Sequence, residues 1–584
     1  MSSNKLEIMR HSTSHLLASA VIELWPDTKL AIGPAVKDGF YYDLEFASPV
    51  SDADLPKIEV KMAEIKARNL DFVKKEISSD EANKIFVDQP FKLELIEDLK
   101  KEGVKKVLTY STGKFIDLCI GPHVENTSDI GEFKLLSVAG AYWRGSEKNK
   151  MLTRIYGTCF PTQKELDEYL KFQEEAKKRD HRVIGKNLNL FVFSDLVGKG
   201  LPLFTEKGSV IRRELERFIV DEEIKRGYHH VYTPDLANVA LYKKSGHYPY
   251  YKDTMYPVMK IDEEELILRP MTCPHHFQLY ASRPRSYKEL PIRYAELAKQ
   301  FRYEKSGELT GLMRVRLFCL ADAHIIAQKD QAVTEINNVL DLIEDVASEL
   351  GLQKSTNYRY RLSLGDKENE KKFYKDNESW DFAENVLRQV LVNRSAPFYE
   401  EKGEAAFYGP KIDIQMKNFA GIENTAFTVQ YDFVMPKRFN LTYIDEKGKE
   451  KEPIVIHRSS IGAIERVMAF LIEHYAGAFP VWLAPVQVKV IPVSEKSLEY
   501  AKSVAEKLQN EEIRTELDDR NEKMQAKIRD AEMEKIPYML IIGPKEAEDQ
   551  SVSVRVRGEK DLGKMSFNDF LQLIKEDIAD KRQV

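Results

Sequence analysis

The last hundred residues constrain the fold most tightly. From Val486 onward the chain reads strand, helix, strand, helix, strand, strand, helix, in the segments VQVKVIPV, EKSLEYAKSVAEKLQ, IRTELD, NEKMQAKIRDAEME, YMLIIG, SVSVRVRG and SFNDFLQLIKEDIA. Short β-branched runs suit strands, and apolar residues three and four apart suit helices packed on them. This alternation predicts a compact α/β domain on a mixed sheet, over residues 485–584. The stretch before it, AGAFPVWLAPVQVKVIPV (476–493), is the longest apolar run, but prolines and Lys489 interrupt it. It reads as linker plus strand, and no membrane span is expected.

Two further blocks precede this domain. Residues 1–182 mix helices and strands. MRHSTSHLLASAVIELW has helical periodicity, with Leu16, Leu17, Ala20 and Val21 on one side. DGFYYDLEF reads as a strand, LPKIEVKMAEIKARN as an amphipathic helix, and a long charged helix ends near Lys178–Arg182. Residues 183–484 form a larger block rich in aromatics and strands. The expected class is therefore α+β in several domains.

Charge and cysteine content narrow the function. Lys and Arg number 88 against 94 Asp and Glu, a net charge of −6, so any nucleic acid must be met by local basic patches. Four cysteines, Cys119, Cys159, Cys273 and Cys319, are too few for a disulfide scaffold, which points to a reducing cytoplasm. Lys5, Glu7 and Arg10 interleave with apolar residues, so no signal peptide is expected.

Two spacings suggest chemistry. His11 and His15 lie four apart on one helix face, and Cys119 and His123 repeat that spacing in DLCIGPH. Taken alone, they read as metal ligands, catalytic groups or polar residues at a helix edge. The stretch FRYEKSGELTGLMRVRLF (301–318) is a strand–loop–strand pattern around Gly307 and Gly311, with Arg302, Glu304, Arg314 and Phe318 expected on one face. Arginine forks suit phosphate oxygens, a carboxylate can accept from an exocyclic amine, and an aromatic ring can stack on a base. The same residues also describe an exposed, salt-bridged hairpin, and by themselves they leave both readings open.

FRYE followed by RVRLF resembles motif 2 of the class II aminoacyl-tRNA synthetases, and GAIERVMAFLIEHY (462–475) resembles their motif 3. KKSGHYPYYKD and TPD (233–235) are similar to motif 1 and its surroundings. RPMTCPHH, SGELTGLMRVR, AFYGPKIDI, TVQYDF and IHRSSIGAIER occur in the order of the threonyl-tRNA synthetase family, from about residue 5 to the C-terminus. The resemblance implies an N-terminal α+β editing domain (1–182, with a linker helix), a catalytic core on an antiparallel sheet (183–484) and an α/β anticodon-binding domain (485–584). It implies a cytoplasmic homodimeric ligase, with motif 1 around residues 208–236 at the dimer contact. Threonine, ATP and tRNA(Thr) would be its partners, with neither membrane nor DNA involved.

The same resemblance assigns roles. Arg302 would hold the α-phosphate, Glu304 the adenine amine, and Phe318 the base. Arg314 and Arg466 would bind the outer phosphates bridged by Mg²⁺, with Lys411 in support; Arg302, Arg466 and Lys411 form the catalytic set. Cys273, His324 and His457 would hold one Zn²⁺ per subunit, and Asp322, Met271 and Tyr408 would line the amino-acid pocket. Zinc that takes both the amino group and the hydroxyl of threonine rejects valine, but serine keeps the hydroxyl. A missing methyl-sized group supports only ~10–200-fold rejection, so hydrolytic editing is needed. His11, His15, Asp117, Cys119 and His123 would carry that editing of Ser-tRNA(Thr). A related domain of alanyl-tRNA synthetases has a similar quartet that can bind zinc, so a metal stays open there. Asn521, Arg529, Glu546 and Arg555 would read the anticodon, with Lys523, Lys527 and Arg529 facing phosphates.

Two departures from the family pattern stand out. The small ubiquitin-like domain that opens many bacterial members is expected to be missing, because the editing signature starts at residue 11. Leu320, Thr425, Ala426, Phe427 and Ala463 replace residues common around the amino-acid pocket, which is therefore expected to be altered. Two rival functions are an amino-acid-activating paralogue that no longer charges tRNA and a non-catalytic RNA-binding regulator. Asn521, Arg529 and Arg555 weigh against the first, and Arg302, Arg466 and the zinc ligands against the second.

Overall fold

The computed structural model describes residues 3–369, 371–558 and 560–584. Residues up to 174 form one compact unit and residues 175–584 another, with the helix Gln163–Arg179 running across the boundary.

In the first unit the opening helix spans Ser3–Leu24. The expectation of one apolar side understates its burial, since Ser12 through Val21 are all buried. The helix Leu55–Lys66 and the strands Gly39–Glu45 and Met151–Phe160 pack around it. Small polar residues survive there because they bond back to the helix: Ser12 Oγ donates to the Ile8 carbonyl (2.9 Å) and Thr13 Oγ1 to the Met9 carbonyl (2.8 Å). A separate three-stranded sheet, Phe72–Ser78, Lys106–Thr112 and Phe115–Leu118, carries Asp117 on its last strand.

The second unit is built on an eight-stranded sheet. Its strands are β1 (His229–His230), β2 (Ile292–Phe301), β3 (Leu317–Ala327), β4 (Tyr358–Leu364), β5 (Phe398–Lys402), β6 (Lys411–Lys417), β7 (Glu423–Asp432) and β8 (Ile454–Ala463). They lie in the order β1-β2-β3-β8-β7-β6-β4-β5, antiparallel except for the outer pairs β1/β2 and β4/β5. The helix Ala332–Glu349 buries Ile336, Val339, Leu340, Ile343 and Val346, the stripe expected of a helix lying on a sheet. The helix Ile464–His474 is buried nearly all round, its carboxylates Glu465 and Glu473 held by Arg212 and His181.

The C-terminal sheet has the order Thr515–Leu517, Val488–Pro492, Tyr538–Ile542, Ser551–Val556, Lys560–Ser566, parallel in its first three strands and antiparallel in the rest. The mixed sheet is as expected. The last strand, KDLGKMS, escaped the sequence reading because it is an exposed edge with no apolar alternation. No helix among the described residues is long and apolar enough to cross a membrane.

Candidate functional site

The hairpin β2–β3 pairs Gln300 with Phe318 and Phe301 with Leu317, and residues 302–316 form the loop between them. Arg302, Glu304, Arg314, Phe318, Lys411 and Arg466 line one cavity. The Arg302 guanidinium carbon lies 5.1 Å from the Phe318 ring centroid. Arg314 pairs with Glu304 through Nε (3.0 Å) and Nη2 (2.9 Å). Arg466 donates from Nη1 to the Thr425 carbonyl (2.7 Å) and from Nε to the Met313 carbonyl (3.2 Å). Burial, and then repulsion from Arg302 and Arg314, lower the pKa of Arg466. Three crowded guanidinium groups in a walled cleft make a strong anion site. Lys411 is paired with Asp413 at 2.9 Å, and Asp413 also takes Arg361 at 2.8 Å.

The cleft continues past Arg302 and Lys411 into a space of about 540 Å³ lined by Met271, Cys273, Tyr408, His247 and Gln430. Alternation along β3 puts Phe318, Leu320, Asp322 and His324 on one face, a continuous line between the two parts. Across the strand pair β3/β8, His324 lies opposite His457, and Cys273 opens the helix Cys273–Ala281 beside them. The candidate ligand atoms of Cys273, His324 and His457 lie within 4.8 Å of one another, all buried.

Their partners fit a metal centre. His457 Nε2 bonds Asp432 Oδ2 at 2.7 Å, which leaves Nδ1 for a metal. His324 Nδ1 meets His276 Nδ1 at 2.8 Å, and His276 Nε2 meets Glu296 Oε2 at 3.3 Å, which leaves His324 Nε2. A carboxylate behind each ligating imidazole is the usual orienting device. Burial pushes the pKa of His324 well below its ordinary value, holding it in the neutral, ligating form. The donor set Cys-His-His with a carboxylate at hand suits zinc. Asp322, whose pKa is raised by burial, lies 4.0 Å from His324 Nε2 and accepts from Gln300 Nε2 at 3.3 Å. Tyr408 stacks on His457 with centroids 5.0 Å apart and donates to Gln430 Oε1 at 2.6 Å.

The five substitutions expected to alter the amino-acid pocket gather toward the Arg466 end of this cleft and the core behind it. Leu320, Thr425, Ala426 and Ala463 line the cavity of Arg466 and Phe318, and none of them lines the space next to Cys273. Phe427 is fully buried in the main core. The reason is register: β8 bulges between the Asp322–Ser459 and Leu320–Ala463 pairs, so Ala463 and its neighbours close the Arg466 end of the cleft.

In the first unit, the ligand-capable atoms of His11, His15, Cys119 and His123 also lie within 4.8 Å of one another. Cys119 Sγ stands 3.3 Å from both His11 Nε2 and His123 Nε2. Ser12 Oγ meets His123 Nδ1 at 3.2 Å, and His15 Nε2 lies 3.6 Å from Asp117. Asp117 is also held by Lys92 and by the Tyr42 hydroxyl. Burial pushes the Cys119 thiol up to about 11 and His123 down to about 2, and lowers His11 and His15 as well. Lys92 and Tyr42 were missed because neither belongs to a spaced motif.

The C-terminal candidates are dispersed. Asn521 and Arg529 are exposed, with Arg529 3.4 Å from Asp530. Arg555 lies on the strand Ser551–Val556, where its Nε is buried without a hydrogen-bond partner. Glu546 accepts from the Gly543 N–H and from Ser553 Oγ, both at 2.9 Å, so its carboxylate caps its own helix. Lys527 corrects the phosphate expectation: it is buried and donates to the Asp518 carbonyl at 2.8 Å.

Three family models match the chain: the tRNA synthetase class II core domain (G, H, P, S and T) over residues 256–475, an anticodon binding domain over 487–577, and the threonyl and alanyl tRNA synthetase second additional domain over 107–156. A threonine–tRNA ligase of Geobacillus kaustophilus (strain HTA426) is 50% identical over 580 residues, 99% of this chain and 88% of that protein. One of Staphylococcus carnosus (strain TM300) is 49% identical over 584 residues, 100% of this chain and 90% of that protein. Among solved structures, the RNA binding domain of threonyl-tRNA synthetase from Cryptosporidium parvum Iowa II superposes with a TM-score of 0.65 at 34% identity, covering 68% of this chain and 98% of that one.

Proposed function

The chain belongs to the threonine–tRNA ligase family, a class II aminoacyl-tRNA ligase, and from that premise we propose how its own residues divide the work. The core (183–484) joins threonine to ATP to give threonyl-adenylate and pyrophosphate, then passes the threonyl group to the 3′-terminal ribose of tRNA(Thr). The N-terminal domain (1–182) hydrolyses Ser-tRNA(Thr), and the C-terminal domain (485–584) holds the anticodon through Asn521, Arg529 and Arg555.

What carries the reading is the single line of residues along β3. Phe318 at one end offers a stacking face beside Arg302, Asp322 stands in the middle, and His324 ends the line in the metal-ligand group. ATP laid along this face puts its α-phosphate at Arg302, between base and amino acid. Arg314 exchanges its pairing with Glu304 for the outer phosphates, which frees the carboxylate for the adenine amine. Arg466 and Lys411 complete the phosphate clamp, and Mg²⁺ would supply further neutralisation of the phosphate charge. Catalysis of this kind comes from positioning and from charge already in place where charge develops.

Zinc held by Cys273, His324 and His457 would supply a Lewis acid able to take the amino group and hydroxyl of threonine together. Asp322 accepts from that hydroxyl, while Met271 and Tyr408 wall the methyl side. In the N-terminal domain, His11, His15, Asp117, Cys119 and His123 position a water at the mischarged ester. The uncharged imidazoles and thiol suit polar positioning of water rather than a thiolate nucleophile. A homodimer in the cytoplasm is part of the same proposal.

Amino-acid-dependent pyrophosphate exchange on zinc-loaded protein, with threonine, serine and valine side by side, tests it. The expected order is strong exchange with threonine, weaker with serine and none with valine. Exchange with valine, or none with threonine, overturns the assignment.

A further inference from the structure

Between the nucleotide loop and the helix that carries Arg466 lies a buried histidine to which the reaction above assigns nothing. His181 opens the helix His181–Asn187 and is 2% exposed. Its Nδ1 donates to Glu473 Oε1 at 2.7 Å, and Glu473 belongs to the same helix as Arg466, two turns further on. Its Nε2 accepts the Leu312 N–H at 3.2 Å. Asp180, His181 and Glu473 have the composition of a metal site, but both ring nitrogens are already engaged, and the pairing explains the cluster without an ion.

The contact falls at a sensitive place. Leu312 is followed by Met313, whose carbonyl accepts from Arg466 Nε, and by Arg314, paired with Glu304. Residues 312 and 313 are therefore tied twice to one helix, once through His181–Glu473 and once through Arg466. The preceding residue, Gly311, has φ +47° and no room for a side chain: a Cβ there would stand 2.2 Å from His181 Nε2. The loop is seated on the imidazole.

We propose that His181 is a positioning residue for ATP: its Nε2 fixes the backbone of residues 311–313, and so the placement of Arg314 and Arg466, without touching substrate. This rests on the reading that the arginine cleft binds ATP. It places His181 among the determinants of nucleotide affinity rather than of threonine recognition, since Cys273, His324 and Asp322 share no contact with it.

Two near-isosteric variants separate the two ring nitrogens. His181→Gln keeps an acceptor near the Nε2 position, whereas His181→Asn keeps a donor near Nδ1 and withdraws the acceptor from Leu312. In pyrophosphate exchange, His181→Asn is expected to raise the KM for ATP about 10-fold, equal to about 1.4 kcal/mol and the scale of one buried hydrogen bond. The KM for threonine should stay within about twofold, and His181→Gln should recover most of the ATP affinity. Gly311→Ala, which leaves His181 and Glu473 unmutated but drives a Cβ against the imidazole, should show the same ATP-selective defect. If His181→Asn is harmless and His181→Gln damaging, or if both KM values rise together with a fall in Tm, His181 merely satisfies a buried carboxylate and the proposal fails. Absence of exchange in the unmodified protein would sink the ATP reading itself, an outcome distinct from exchange that is indifferent to residue 181.

Discussion

Replacing Asp432 with asparagine probes the proposed zinc site without touching a proposed ligand. Asp432 Oδ2 takes the proton on His457 Nε2 at 2.7 Å, and Oδ1 accepts the N–H groups of Val434 and Met435 at 2.8 and 2.9 Å. Those two backbone bonds fix the orientation of the side chain. In Asp432→Asn the amide oxygen keeps them, and the amide NH₂ is turned toward His457. A donor now faces Nε2, so His457 must move its proton to Nδ1, the nitrogen left for the metal. Loss of such a partner typically weakens metal binding about 10–100-fold, or about 1.4–2.7 kcal/mol. Competition for zinc against a chelator of known affinity measures this directly, independent of catalysis. The fold should persist, because residue size and both backbone bonds are conserved. An unchanged zinc affinity in a folded Asp432→Asn protein would refute the assignment of Nδ1 as the ligating atom and of Asp432 as its orienting partner.

Other outcomes follow from the same geometry. Arg302→Ala should abolish adenylate formation, measured as pyrophosphate exchange, since removing a half-buried cation from the three-arginine cluster strips the charge proposed to face the α-phosphate. His11→Ala should leave threonine charging intact while Ser-tRNA(Thr) accumulates in a mischarging assay; unchanged clearance of the serylated product would remove His11 from the editing site. Stability of the N-terminal unit should depend on pH through its buried histidines. His11, His15 and His123 are held below their ordinary value by burial, His123 at about 2. The unfolded chain therefore binds more protons below about pH 6.5, and stability is complete above that value and falls as pH drops through it. Each histidine adds a slope of up to about 1.4 kcal/mol per pH unit, so thermal melts should decline below about pH 6.5 and His123→Gln should flatten the decline.

Local pattern was enough for much of the architecture. The helix Leu55–Lys66 and the strand–helix order after Val488 are set by spacing of apolar residues, which the chain carries within each segment. The β2–β3 hairpin was legible from its glycine-containing loop, but Arg302, Glu304 and Arg314 lie in that loop and not on strand faces. The pairs His11/His15 and Cys119/His123 were visible because spacing of four brings side chains together on a helix or around a tight loop. The edge strand Lys560–Ser566 had no such signal, because neither face is buried.

The functional groups depended on more than pattern. Cys273, His324 and His457 share no spacing that periodicity could reveal, and only their resemblance to known motifs marked them. Tertiary structure alone decided their partners: Asp432 behind His457, His276 and Glu296 behind His324, and Lys92 and Tyr42 behind Asp117. It also placed Phe427 in the core, and a bulge in β8 that no local pattern encodes set Ala463 opposite Leu320 at the Arg466 end of the cleft. Periodicity is a property of neighbours along the chain, so sequence determined the elements and their buried faces. Which hydrogen-bond partner stands behind which ligand depends on strand register and on contacts between residues 20 to 75 positions apart, and only the folded chain sets these.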